Sequence, residues 1–86
     1  MTRNELIWKI EHGDDIMFDV IGKHYTILTW LDEGILIAEQ YKEPGEAHEE
    51  RIYQTAEELV DGFMVNETPL KELCDKVVIT SYTLVQ

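Results

Sequence analysis

The sequence predicts a single α+β domain: an N-terminal helix, a three-stranded antiparallel meander, one or two further helices and a C-terminal strand. Three observations carry this reading. A helix-capping signature and an apolar stripe open the chain. Two glycine-containing turns then separate three apolar segments whose residues alternate. A second capping signature follows, and the chain closes on a run of β-forming residues. At 86 residues, positions 1–86 form one domain.

In order, Thr2-Arg3-Asn4-Glu5 reads as a capping box, and Leu6, Ile7 and Ile10 share one helical stripe. Gly13 is a helix stop, so the helix is expected over about residues 3–12. Residues 16–21 alternate, with Ile16, Phe18 and Val20 on one side. Gly22-Lys23 suits a two-residue type II′ turn that would pair Val20 with Tyr25 and Phe18 with Ile27. A second strand spans about residues 24–31. Asp32-Glu33-Gly34 suits a three-residue hairpin with Gly34 left-handed, pairing Leu31 with Ile35 and Thr29 with Ile37. The core face is then the one carrying Phe18, Ile27 and Ile37.

The opposite face carries Met17, Leu28, Trp30, Leu36 and Ala38 beside Asp19, Thr26 and Gln40. A half-solvated antiparallel sheet is normally more polar there. Either the first helix or the C-terminal segment covers this face, or it meets a partner. Leu28, Trp30 and Leu36 are its candidate interface residues. Trp8 falls off the helix stripe, so the two tryptophans either pack together inside the monomer or anchor an interface.

Residues 42–51 read as a polar loop around Pro44-Gly45, and Ile52-Tyr53-Gln54 as a short strand. Thr55-Ala56-Glu57-Glu58 is a second capping box, followed by the stripe Leu59, Val60 and Phe63. Thr68-Pro69 fits an N-cap with proline at the first helical position, and Leu70, Leu73, Cys74 and Val77 form that helix's stripe. Residues 78–85 read as the last strand.

Eighteen acids against seven bases leave a net charge of -11. That charge repels DNA, RNA and anionic membranes, whose phosphates call for Lys and Arg, and it favours basic protein partners. Residues 39–62 hold eight of the acids (Glu39, Glu43, Glu46, Glu49, Glu50, Glu57, Glu58 and Asp61) against Lys42 and Arg51, a net of -6. They are the candidate partner-binding residues, displaying carboxylates where a basic groove would otherwise hold nucleic acid. The bland alternative is a solvated loop and an ordinary acidic first helix turn.

The single cysteine, Cys74, excludes an intrachain disulfide and fits a reduced, cytoplasmic setting. The chain opens on an amphipathic segment and no stretch approaches a membrane span, so a soluble protein is expected. His48-Glu49-Glu50-Arg51 lacks the second histidine of a zinc helix, because position 52 is Ile. Asp14-Asp15 and Asp32-Glu33 are turn formers. Lys71 and Lys76 near Cys74 are offset by Glu72 and Asp75, which argues against a reactive thiolate. No catalytic residue, metal ligand or cofactor is assigned, and a non-enzymatic protein is expected.

The segment Ile52-Tyr53-Gln54-Thr55-Ala56-Glu57-Glu58-Leu59, with Phe63-Met64-Val65 and Pro69-Leu70-Lys71-Glu72-Leu73, resembles a group of small, mostly uncharacterised proteins of Gram-positive bacteria and their prophages. So does the opening, with Glu5-Leu6-Ile7, His12-Gly13, Phe18 and Gly22-Lys23-His24-Tyr25. These motifs are turns, caps and core positions, and they imply shared architecture without a shared chemistry. Asn66-Glu67 departs from the Asp-Gly or Asn-Gly turn expected there, as does the long acidic loop. In size, charge and element order the chain is also similar to acidic anti-CRISPR proteins that inhibit Cas9. These resemblances imply a phage or mobile-element protein in a bacterial host, binding a basic partner such as a nucleic-acid-binding defence protein. The alternative is an accessory or structural protein that forms a homodimer through the Trp30 face.

Overall fold

The computed structural model describes residues 1–40 and 50–84. Helix α1 (Arg3–His12) begins as its capping box requires: the Thr2 hydroxyl accepts the Glu5 N–H, and the Glu5 carboxylate accepts the Thr2 N–H. It runs without a loop into β1 (Gly13–Val20). Gly13 permits that junction through close approach, since its φ of -94° is ordinary. A Cβ there would lie 2.7 Å from the Lys9 carbonyl oxygen and 2.8 Å from the Tyr82 ring.

Strands β2 (Lys23–Leu31), β3 (Gly34–Glu39) and β4 (Glu50–Tyr53) continue the meander. Strand β7 (Val78–Leu84) returns to pair with β1, giving one antiparallel sheet in the order β4-β3-β2-β1-β7. The expected three strands are thus the middle of five. The Ile52–Tyr53 strand adds to one edge and the C-terminal strand to the other.

Both hairpin registers differ from expectation. Val20 pairs with Lys23 and Phe18 with Tyr25, so the first turn is Ile21-Gly22. Both of its residues have positive φ (40° and 81°), the type I′ pattern rather than II′. In the second hairpin Leu31 pairs with Gly34 across Asp32-Glu33, and a bulge restores Leu28↔Leu36 and Ile27↔Ile37. Gly34 has a φ of 135°, positive but outside the left-handed helical region. Apart from Leu31, whose partner moves by one position before the bulge, each slip moves a residue's partner by two positions. Because side chains alternate with period two, the faces are preserved. Phe18, Ile27 and Ile37 accordingly share the core face and are fully buried.

Helix α2 (Ala56–Gly62) is capped by the Thr55 hydroxyl, which accepts the Glu58 N–H. Its Glu58 carboxylate reaches back to the N–H of Gln54, one residue beyond the cap, so only half of the expected box forms. Two short strands, β5 (Met64–Val65) and β6 (Thr68–Pro69), then make a small hairpin. The helix expected after Thr68 is replaced by two 3₁₀ turns, Leu70–Glu72 and Cys74–Lys76. Pro69 belongs to the hairpin ladder and has an extended backbone, so it precedes the first turn instead of opening a helix.

Both helices pack on one side of the sheet. Leu6, Ile7 and Ile10 of α1 and Ala56, Leu59 and Val60 of α2 join Ile16, Phe18, Tyr25 and Ile37 in one core. Tyr25 stands at its centre, 5.5 Å from Phe18 and edge-on to Phe63 at 5.2 Å. At the far edge the Tyr82 hydroxyl donates to the Lys9 carbonyl, and the Lys9 ammonium lies over the Tyr82 ring. Burial pushes the Tyr82 hydroxyl above its ordinary pKa.

Candidate functional site

The other face of the sheet is not covered by α1, contrary to one expectation, because α1 packs on the Phe18 side. Nor does the C-terminal segment cover it: β7 extends the sheet sideways. The reason is connectivity. Gly13 joins α1 directly to β1, so the helix folds back over the side that its own stripe and Ile16 share.

On this outer face, Ile52, Leu36 and Leu28 are successive cross-strand partners over β4, β3 and β2, and Asp15 of β1 ends the row. Trp30 lies beside that end and donates its indole N–H to the Asp15 carboxylate at 2.9 Å. The next row runs Glu50, Ala38, Thr26, Met17 and Ser81. The third pairs His24, Asp19 and Val78, with His24 bonded to Asp19. Trp30 is 60% exposed, Ile52 48% and Met17 38%, whereas Leu28 and Leu36 are half-buried. The three expected interface residues therefore lie together. Ile52 and Asp15 complete the patch. Recognising Ile52-Tyr53 as the partner of Ile35-Leu36 would have found Ile52, whereas the bond from Trp30 to Asp15 had no signal in the sequence.

The two tryptophans do not pack on each other. The Trp8 ring stacks on His12 at 4.2 Å, on the helix side, while Trp30 is on the outer face.

The acidic candidates are dispersed. Glu50 is exposed on the outer face. Glu39 pairs across from Tyr25, on the helix side, with its carboxylate 3.7 Å from the Lys23 ammonium. Glu57 and Glu58 occupy the first turn of α2, and Glu58 is engaged by Gln54. Asp61 receives two 2.7 Å hydrogen bonds from the Arg3 guanidinium. That contact holds the Asp61 carboxyl below its ordinary pKa and raises that of Arg3. Glu43, Glu46 and Glu49 lie outside the described residues, as does most of the expected 42–51 loop.

A shallow groove of about 400 Å³ lies on the helix side between the end of α1 and the start of α2, lined by Ile10, Glu11, Gly13, Thr29, Ile35, Gln54, Thr55 and Ala56. Its polar lining is largely committed to the fold. Thr29 donates to the Gly13 carbonyl, Gln54 to the Glu33 carbonyl, and Thr55 caps α2. Cys74 is buried with its thiol against the Leu70 carbonyl, and burial pushes its pKa up. Among the described residues no group of three His, Cys, Asp or Glu side chains could hold a metal ion, and no helix is long and apolar enough to cross a membrane. The chain has no significant match to any protein-family model, curated protein or solved structure.

Proposed function

We propose that this chain is a non-enzymatic binding protein of phage or mobile-element type, working in the cytoplasm of a bacterial host, that engages a basic protein. In its sharpest form the partner is a nucleic-acid-binding defence protein such as Cas9, and the chain competes with nucleic acid for its basic surface. The observation that carries this reading is the charge. The net charge is -11, and most of the described carboxylates are exposed. Among the described residues only Glu39, Asp61 and Asp75 lie in ion pairs with Lys or Arg, and Asp19 is bonded to His24. Glu5, Asp15 and Glu58 accept hydrogen bonds within the fold, and the other exposed carboxylates among the described residues present their charge to a cationic surface.

Competition tests this. The chain should displace target DNA from a guide-loaded Cas9 or another basic nucleic-acid-binding protein, and the displacement should weaken as salt rises, since exposed charges are screened within about 8–10 Å near physiological ionic strength. Changing Glu46, Glu49 and Glu50 together to Lys should slow association while leaving far-UV circular dichroism unaltered. Equal competition by parent and variant at low and high salt would dismiss mimicry through that segment. A second reading, self-association through the Trp30 face, is favoured by that face's exposed apolar row, and it requires a concentration-dependent mass in sedimentation equilibrium.

A further inference from the structure

The outer face joins two properties that the acidic composition alone does not explain. It holds an apolar strip, Ile52–Leu36–Leu28 with Trp30 at its end, and its titratable side chains are the carboxylates Asp15, Asp19 and Glu50 and the imidazole of His24, which is bonded to Asp19. Among the described residues no Lys or Arg belongs to this face. Arg51 pairs with Ile37 and Lys23 with Val20, which places both on the helix side by strand alternation.

We propose that this face docks a basic polypeptide segment presenting an apolar ridge flanked by Lys or Arg. The inference rests on the proposed engagement of a basic partner and names the surface that performs it. Strand spacing of about 4.8 Å makes the Ile52–Leu36–Leu28 strip about 10 Å across, the width of one helix or a pair of strands. Five strands and about six residues of strand length give a face of about 480 Å², enough for one segment of a partner and smaller than the roughly 800 Å² per partner of a standard stable interface, which makes the docking of the weak, transient class. Trp30 is the anchor: its indole is held by Asp15 and its ring is open both to apolar contact and to a cation above it. A second copy is the poorer occupant. Laid face to face, two chains of charge -11 would bring carboxylate against carboxylate.

The test uses a synthetic 18-residue peptide of Leu and Lys spaced to make one apolar helical face, with oligolysine of equal charge as the second probe. In a Trp8→Phe background Trp30 is the only tryptophan, so its emission reports docking directly. The Leu/Lys peptide should shift that emission to the blue. Ile52→Lys should weaken its binding at least tenfold, while Glu57→Gln, which changes the net charge equally but lies on α2, should leave it within twofold. Thermal unfolding of both variants checks the fold, and should Ile52→Lys be unfolded, Trp30→Ala read by calorimetry takes its place with the same expected loss. Equal weakening by Ile52→Lys and Glu57→Gln, or equal binding of oligolysine, would overturn the face assignment while leaving the basic-partner reading standing. No binding of either probe at low salt would overturn both. A dimer in sedimentation equilibrium that Ile52→Lys dissociates would overturn the proposal in favour of a second copy.

Discussion

Replacing Glu67 with glycine should stabilise the protein. Asn66 and Glu67 are the two central residues of the β5–β6 turn, with φ of 50° and 69°, and Val65↔Thr68 closes it. That is a type I′ turn, in which both central residues are left-handed and Asn-Gly is the favoured pair. Asn66 suits its position and Glu67 does not. A left-handed backbone costs an L-residue about 1–2 kcal/mol, and glycine escapes this but loses about 0.5–1 kcal/mol of extra chain freedom on folding. Glu67 is exposed, so little packing is lost. The net gain is about 0.5–1 kcal/mol, which for a domain of this size raises the melting temperature by about 2–8 °C. Thermal unfolding followed by circular dichroism, with urea titration alongside, measures it. Glu67→Gln is the control, because it removes the charge but keeps the Cβ, and it should gain little. The reasoning fails if the glycine variant melts at or below the parent, or if glutamine gains as much, since relief of net negative charge would then be the cause.

Three further outcomes are expected. Gly13→Ala should lose about 1–3 kcal/mol in urea unfolding, because its Cβ would meet backbone at the Lys9 carbonyl; an unchanged midpoint would show that the α1–β1 junction relaxes freely. Tyr82→Phe should lose about 0.5–1.5 kcal/mol by removing the hydrogen bond to the Lys9 carbonyl, and hydrogen exchange in α1 should quicken. Asp61→Asn addresses pH. Arg3 depresses the native carboxyl, so its stabilisation is present above the ordinary carboxylate pKa of about 3.9 and is lost as pH falls through the lower native value. The stability curves of parent and Asp61→Asn should therefore differ at neutral pH and converge in acid; a constant gap down to pH 2 would contradict the assignment.

Much of this architecture is legible in the sequence because it depends on neighbours along the chain. The Thr2 cap, the Leu6–Ile7–Ile10 stripe and the α1 limits follow from local hydrogen bonding and a period of 3.6. The burial of Phe18, Ile27 and Ile37 survived two wrong registers, because a two-residue slip returns each side chain to the same face. Turn type was less legible. Gly22 serves as the second turn residue, since the pleat places Val20 opposite Lys23, and Ile21 accepts a left-handed backbone that its side chain disfavours. The apolar stripe from Leu70 to Val77 looks helical in sequence, but Pro69 is held in the β6 ladder and the segment folds as two 3₁₀ turns.

For the candidate site, the residue types on each face of the meander were determined by alternation alone, and so the apolar character of Leu28, Trp30 and Leu36 was readable in advance. Which face stayed open was decided only in three dimensions. Alternation says which residues share a side and nothing about which side a helix will cover; that depended on α1 joining β1 through Gly13 without a loop and on α2 sharing its core. The addition of Ile52 to the strip and the pinning of Trp30 by Asp15 likewise arise from pairing between residues distant in the chain. The acidic segment shows the same division. Its charge is a property of composition, but strand and helix placement puts Glu50 on the open face, Glu39 beside Lys23 and Asp61 against Arg3, because each carboxylate follows the backbone that carries it.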